Sequence, residues 1–201
     1  MRFRPTIVVP AAGSGSRFGA ERHKLEQDFG AGSVLGSTLR NAIASQLPVM
    51  VVTTEPLVAQ AAGQLAQRDI VVLSAEDAAR GMAHTIAVGI AERSGAPGWL
   101  VLPGDMPLVR PGTLLAVAKA LEHHPVVYAQ HRGRRGHPVG FAAELYSELV
   151  MLTGDDGARR VLLRYPAHGE EVDDPGVLLD VDTPADLARL RQISIKTAPA
   201  K

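Results

Sequence analysis

Cysteine is absent from this chain of 201 residues, which excludes a disulfide framework, a thiolate metal site and a cysteine nucleophile. Net charge is absent as well. Lys and Arg total 21 and Asp and Glu total 21, which argues against a protein that holds nucleic acid through bulk positive charge. No apolar run approaches the ~20 residues of a membrane-spanning helix. The amino terminus has Arg2, Arg4 and a short apolar run, too short for the core of a signal peptide, and the small residues after it read as a loop rather than a cleavage site. The expectation is a cytoplasmic protein with no nucleic-acid and no membrane partner. No H-E-x-x-H spacing offers a zinc site, and Ser14 and Ser16 lack the G-x-S-x-G elbow of a hydrolase. No aromatic or charged stripe marks a partner surface.

What is present is globular composition, 46% hydrophobic and 21% charged, at a length that suits one domain. Apolar β-branched runs alternate with helical periodicity. Strands are expected at 6–9, 49–53, 70–73, 99–102, 126–129, 137–141 and 177–181, and helices at 33–45, 56–67, 82–93, 112–122, 155–164 and 184–191. Alternation of this kind indicates βαβ units and a mostly parallel sheet covered on both faces. Pro184 suits the first turn of the last helix, which Asp182 or Thr183 can cap. Residues 1–193 therefore read as a single domain and 194–201 as a frayed tail.

The most informative segment follows the first strand: Pro10-Ala11-Ala12-Gly13-Ser14-Gly15-Ser16-Arg17-Phe18-Gly19. Small side chains let backbone N–H groups approach an anion, and Arg17 adds a fixed charge for phosphate oxygens. A tight strand-to-helix turn is the plainer alternative. The glycines are spaced G-x-G-x-x-x-G, which is neither the dinucleotide fingerprint nor a Walker loop. Lys24 lies just beyond, within reach if the chain folds back.

Two aspartates follow apolar runs. Asp105 stands after Leu100 to Gly104, and Asp182 stands in Leu179-Asp180-Val181-Asp182-Thr183-Pro184. Carboxylates at the carboxyl ends of parallel strands can converge on Mg²⁺, although each is also suited to capping a turn or helix. Between them lie two glycine-punctuated basic segments, 132–139 and 152–160. They contain Arg135, His137, Asp155 and Arg159 and are suited to an anionic second substrate, or to a solvated loop and a capped helix start.

Taken together, the 10–19 loop with Lys24 and the Leu102 to Leu108 segment around Asp105 resemble the signature of the MobA-like nucleotidyltransferases. Gly81-Met82-Ala83-His84-Thr85, the Gly133 to Val139 segment, the Thr153 to Arg159 segment and the Asp180 to Leu187 segment are similar to those of the molybdenum cofactor cytidylyltransferases within that superfamily. The resemblance implies a three-layer αβα fold of the nucleotide-diphospho-sugar transferase kind. It implies CTP as donor, a phosphorylated molybdenum-pterin as acceptor, Mg²⁺ as cofactor, and a recipient molybdoenzyme for the product. It implies nucleotide contacts from Ala11, Ala12, Gly13, Ser14, Gly15, Ser16, Gly81 and His84, and catalytic roles for Arg17, Lys24 and Asp105. Metal ligation would fall to Asp105 and Asp182, and acceptor contacts to Arg135, His137, Asp155 and Arg159. Guanylyltransferase relatives usually carry Ala-Gly-Gly where this chain has Ala11-Ala12-Gly13, so Ala12 leans toward a pyrimidine. The chain departs from the pattern at 25–32, which is acidic and glycine-rich, and at His84, where a small hydroxyl residue is common. A cytidylyltransferase acting on a sugar- or polyol-phosphate and a non-catalytic cofactor-binding chaperone are the two rival readings.

Overall fold

The structure, a computed structural model, describes residues 3–15, 18–19, 22–154 and 157–197. In chain order it has β1 (Thr6–Ala11), the two-residue strands β2 (Asp28–Phe29) and β3 (Gly32–Ser33), α1 (Val34–Ala44), β4 (Val49–Thr54), α2 (Val58–Ala62) and β5 (Ile70–Leu73). Then come α3 (Ala75–Ala78), α4 (Met82–Ala91), β6 (Gly98–Val101), α5 (Pro111–Ala120), β7 (Val126–His131) and β8 (Arg134–Ala142). The chain closes with α6 (Tyr146–Leu149), α7 (Arg159–Arg164), β9 (Ala167–Glu171) and α8 (Pro184–Thr197).

Among the described residues the main sheet has seven strands in the order β5-β4-β1-β6-β8-β7-β9. All run the same way except β8, which is antiparallel to both β6 and β7. Successive side chains of a strand point to opposite faces. Ile7, Val9 and Leu100 accordingly enter one core with Leu35, Leu39, Val117 and Leu190, from α1, α5 and α8. Val8, Trp99 and Val101 enter a second core with Ile86, Ile90, Leu149 and Val161, from α4, α6 and α7 or beside them. The molecule is thus the expected αβα sandwich, and its central strands are apolar throughout because both faces are covered.

Local chemistry sets the helix starts. Ser33 Oγ accepts from Gly36 N at 3.0 Å at the start of α1. Of the two candidate caps for α8, Thr183 is the one used: its hydroxyl accepts from Asp186 N at 3.2 Å, and the Asp186 carboxylate accepts from Thr183 N at 2.9 Å.

Several expectations need correction. Residues 177–181 form no strand. Asp174 Oδ1 accepts from Gly176 N, and with Pro175 this folds Pro175–Leu178 into a 3₁₀ turn. Val177 and Val181 are apolar because they pack into the first core, not because they pair. The strand β9 went unread because an edge strand of sequence Ala-His-Gly-Glu-Glu has no apolar period. The helix expected at 56–67 is a 3₁₀ turn at Glu55–Leu57 followed by the five-residue α2, which stops at Gly63. The basic segment at 134–136 lies in β8 rather than in a loop, and the turn before it, Arg132-Gly133, has φ of 50° and 73° at its two residues, as a tight hairpin requires. After the glycine loop the only helical turn before α1 among the described residues beyond residue 21 is the 3₁₀ turn Lys24–Glu26. The last helix runs to Thr197, past the expected end at Arg191, so residues 194–197 continue it. No helix of the described residues is long and apolar enough to cross a membrane.

Candidate active site

Chain order reverses its direction across the sheet at β1, with β4 on one side and β6 on the other. Open α/β sheets bind ligands at the carboxyl ends of strands at such a point. Here an open cleft of about 1400 Å³ is lined by Pro10 to Gly15 at the end of β1 and beyond it, Thr54 at the end of β4, Ser74 after β5 and Pro103 to Met106 after β6. Backbone bonds hold its floor: Leu102 N donates to Val8 O at 3.0 Å and Gly104 N to Pro10 O at 3.1 Å. Thr38 Oγ1 donates to Gly104 O at 2.9 Å from beneath.

The glycine loop is braced by a residue that motif reading missed. His23 Nδ1 accepts from Leu25 N at 3.1 Å, so its proton is on Nε2, which donates to Gly13 O at 2.8 Å. The imidazole also lies so close to Gly15, where φ is +63°, that a Cβ there would meet its Nε2 at 2.9 Å. Glu26 accepts from His23 N at 3.2 Å and completes the capping box of the turn that carries Lys24. The signal available in the sequence was the H-x-x-E spacing.

Lys24, expected within reach of the glycine loop, meets the two aspartates. Its Nζ donates to Asp105 Oδ2 at 2.7 Å and to Asp182 Oδ1 at 2.8 Å. Burial alone would push the lysine pKa down, but the Asp105 charge and the hydrogen bonds of both carboxylates outweigh it and hold the ammonium above its ordinary value. Val181 N donates to Asp105 O at 3.0 Å, which joins the second acidic segment to the first. Asp180 is a third member. One ligand oxygen from each of Asp105, Asp180 and Asp182 lies within 4.8 Å of the others. Burial, then the neighbouring Asp105 and Asp182 charges, raise the Asp180 carboxyl above its ordinary value. Asp105 Oδ1 is buried and finds no hydrogen-bond partner among the described residues. Hard oxygen donors so arranged are compatible with a divalent metal.

The opposite wall is built by β8. Gly136 sits where any Cβ would collide with the Val177 carbonyl, so the strand and the 3₁₀ turn touch backbone to backbone. His137 follows, its Nδ1 buried without a partner among the described residues, and burial lowers its pKa despite the Asp105 and Asp180 charges. Arg135 lies over the Tyr128 ring, 4.2 Å from its centroid. A second cavity of about 410 Å³ shares Pro10, Met82, Pro103, Arg135, Gly136 and His137 with the cleft. It continues between Ile86, Val139 and Leu162, with Arg159 at its lining.

Of the residues singled out in the sequence, Ala11, Ala12, Gly13, Ser14, Gly15, Lys24, Gly81, Asp105, Arg135, His137 and Asp182 line the cleft. Arg159 lines the adjoining cavity. His84 does not meet them: it turns toward Asp77, Nε2 to Oδ1 3.7 Å, while its neighbour Thr85 lines the cleft. Ser16, Arg17 and Asp155 lie outside the described residues.

Residues 7–171 match the sequence pattern of the MobA-like NTP transferase domain. The chain belongs to this family. The match takes in the glycine loop, Lys24, Asp105 and β8, and stops before Asp180 and Asp182. The MobA-like chain is similar to Rv0371c from Mycobacterium tuberculosis H37Rv, with 29% identity, a TM-score of 0.80, and 94% of this chain and 98% of that one covered. A structure of Rv0371c in complex with manganese is similar at 26% identity and a TM-score of 0.77, with the same shares covered, 94% and 98%. Molybdopterin-guanine dinucleotide biosynthesis protein A from Archaeoglobus fulgidus shares the fold at 18% identity and a TM-score of 0.69, over 96% of this chain and 100% of that one. Comparison with curated proteins gives no match. As a MobA-like NTP transferase the protein is a nucleotidyltransferase that draws on a nucleoside triphosphate.

Proposed function

We propose that this nucleotidyltransferase transfers CMP from CTP to the phosphate of a molybdenum-loaded pterin, giving the cytosine dinucleotide cofactor and pyrophosphate, with residues 1–193 acting as one domain. The observation that carries the reaction is the buried Asp105 Oδ1, without a hydrogen-bond partner among the described residues, within a group of three carboxylates in the same cleft as the glycine loop. A buried carboxylate oxygen without a hydrogen bond is what a cation satisfies. Asp105 and Asp182, with Asp180 beside them, would hold Mg²⁺, and the manganese complex of Rv0371c supports a divalent ion. Bound there, the ion would neutralise charge on the α-phosphate.

The chain's own groups account for the rest. Backbone N–H groups of 13–16, with Arg17 and Lys24, bind the triphosphate and align it. An acceptor phosphate oxygen attacks the α-phosphorus, and the bond to pyrophosphate breaks. That oxygen is already ionised near neutral pH, so no general base is needed. Ala12 lines the cleft at the place where guanylyltransferase relatives usually carry glycine, which supports a pyrimidine base. Arg135, His137, Arg159 and Asp155 face the acceptor. The apolar wall of Met82, Ile86, Val139 and Leu162 supports a flat heteroaromatic body, since polyol hydroxyls against it would lose hydrogen bonds.

Pyrophosphate release tests the reading, with Mg²⁺ and the molybdenum-loaded pterin and with CTP, GTP, ATP and UTP compared in parallel. Release with CTP alone is expected. Release only with a sugar- or polyol-phosphate acceptor, or tight CTP binding without any release, would replace it with one of the two rivals.

A further inference from the structure

The Lys24 ammonium lies 2.7 Å from Asp105 Oδ2 and 2.8 Å from Asp182 Oδ1, between two of the three clustered carboxylates. One ligand oxygen from each of Asp105, Asp180 and Asp182 falls within 4.8 Å of the others, so a cation shared by this group competes with the Lys24 ammonium for the same acids. A dication on these carboxylates would repel the ammonium and compete with it for their negative charge. The ammonium satisfies Asp105 Oδ2 but leaves Asp105 Oδ1 without a partner.

We propose that Lys24 stands in for the divalent cation, and that the ion is held tightly only after this side chain leaves the carboxylates for the triphosphate. The inference rests on the nucleotidyl-transfer reading for what draws Lys24 away. Its four-carbon stem rises from a turn fixed by His23, which also holds the Gly13 carbonyl, so Lys24 shares one cleft with the carboxylates and the glycine loop. One side chain thereby couples metal binding to nucleotide binding and keeps the acidic group balanced before the nucleotide arrives.

The test is Mn²⁺ titration of the full chain by electron paramagnetic resonance, without nucleotide, comparing wild type, Lys24→Met and Asp105→Asn. Lys24→Met should bind Mn²⁺ at least tenfold more tightly than wild type. It should also melt lower in EDTA and gain more in melting temperature from Mn²⁺ than wild type does. Lys24→Gln replaces it if the methionine variant does not fold. Equal Mn²⁺ affinity in wild type and the Lys24 variant overturns the exchange. Wild-type Mn²⁺ affinity in Asp105→Asn overturns the metal assignment itself, a separate failure of the reading beneath.

Discussion

The two walls of the cleft are built by different means. On the β1–β6 side, main-chain bonds from Leu102, Gly104 and Val181 lock the strand ends, the glycine loop and both acidic segments into one unit. On the β8 side, besides the buried His137, the charged groups are the tips of long side chains: Arg135 leans on Tyr128, and Arg159 stands exposed at the start of α7. The difference fits the division of labour proposed above. Phosphoryl chemistry loses rate steeply with misplacement, whereas an acceptor can be held by adaptable contacts around an apolar cavity.

That contrast is open to attack by mutation. The largest effect is expected from Asp105→Ala, which should lower kcat by about a thousandfold, the scale of losing a charge-stabilising group, while the circular dichroism of the fold is unchanged. Near-normal turnover in that variant would remove the acid from the locked wall's chemistry.

Next in size is Asp174→Ala. This carboxylate is 2% exposed and accepts from Arg110 N at 2.8 Å, Thr113 Oγ1 at 2.6 Å and Gly176 N at 3.0 Å, tying α5 to the turn that leads to Asp180 and Asp182. Truncation should cost about 3 kcal/mol in a denaturant melt, because three donors lose their buried acceptor. An unchanged melt would mean that the acidic arm does not depend on this anchor. The smallest effect is expected on the adaptable wall. Arg159→Ala should raise the acceptor KM by about tenfold, the worth of one charge-assisted hydrogen bond, with the CTP KM unchanged. Equal changes in both KM values would erase the distinction between the walls.

Legibility in the sequence followed the same divide. The strands β1, β4 and β6 and the acid after β6 are readable because buried parallel strands are continuous apolar runs and their carboxyl ends carry the site. The edge strand β9 and the 3₁₀ turn at Pro175–Leu178 are not, since one has no apolar face and the other hides two core valines in an irregular backbone. Asp180 is not legible because its partnership with Asp182 exists only once both are brought beside Asp105, and the apolar run at 177–181 reads as a strand that ends between them. His23 escaped because a lone histidine beside a lysine announces nothing until the loop it braces is folded.

The chain alone therefore determined the αβα architecture, the glycine-rich turn after the first strand and the family, because those depend on periodicity and on motifs local to a few residues. Only the tertiary structure decided which acids converge, that Lys24 is clasped between two of them, and that an apolar cavity opens beside β8. Those contacts join residues as far apart as Lys24 and Asp182, and their distances are set by how the sheet packs rather than by any spacing along the chain.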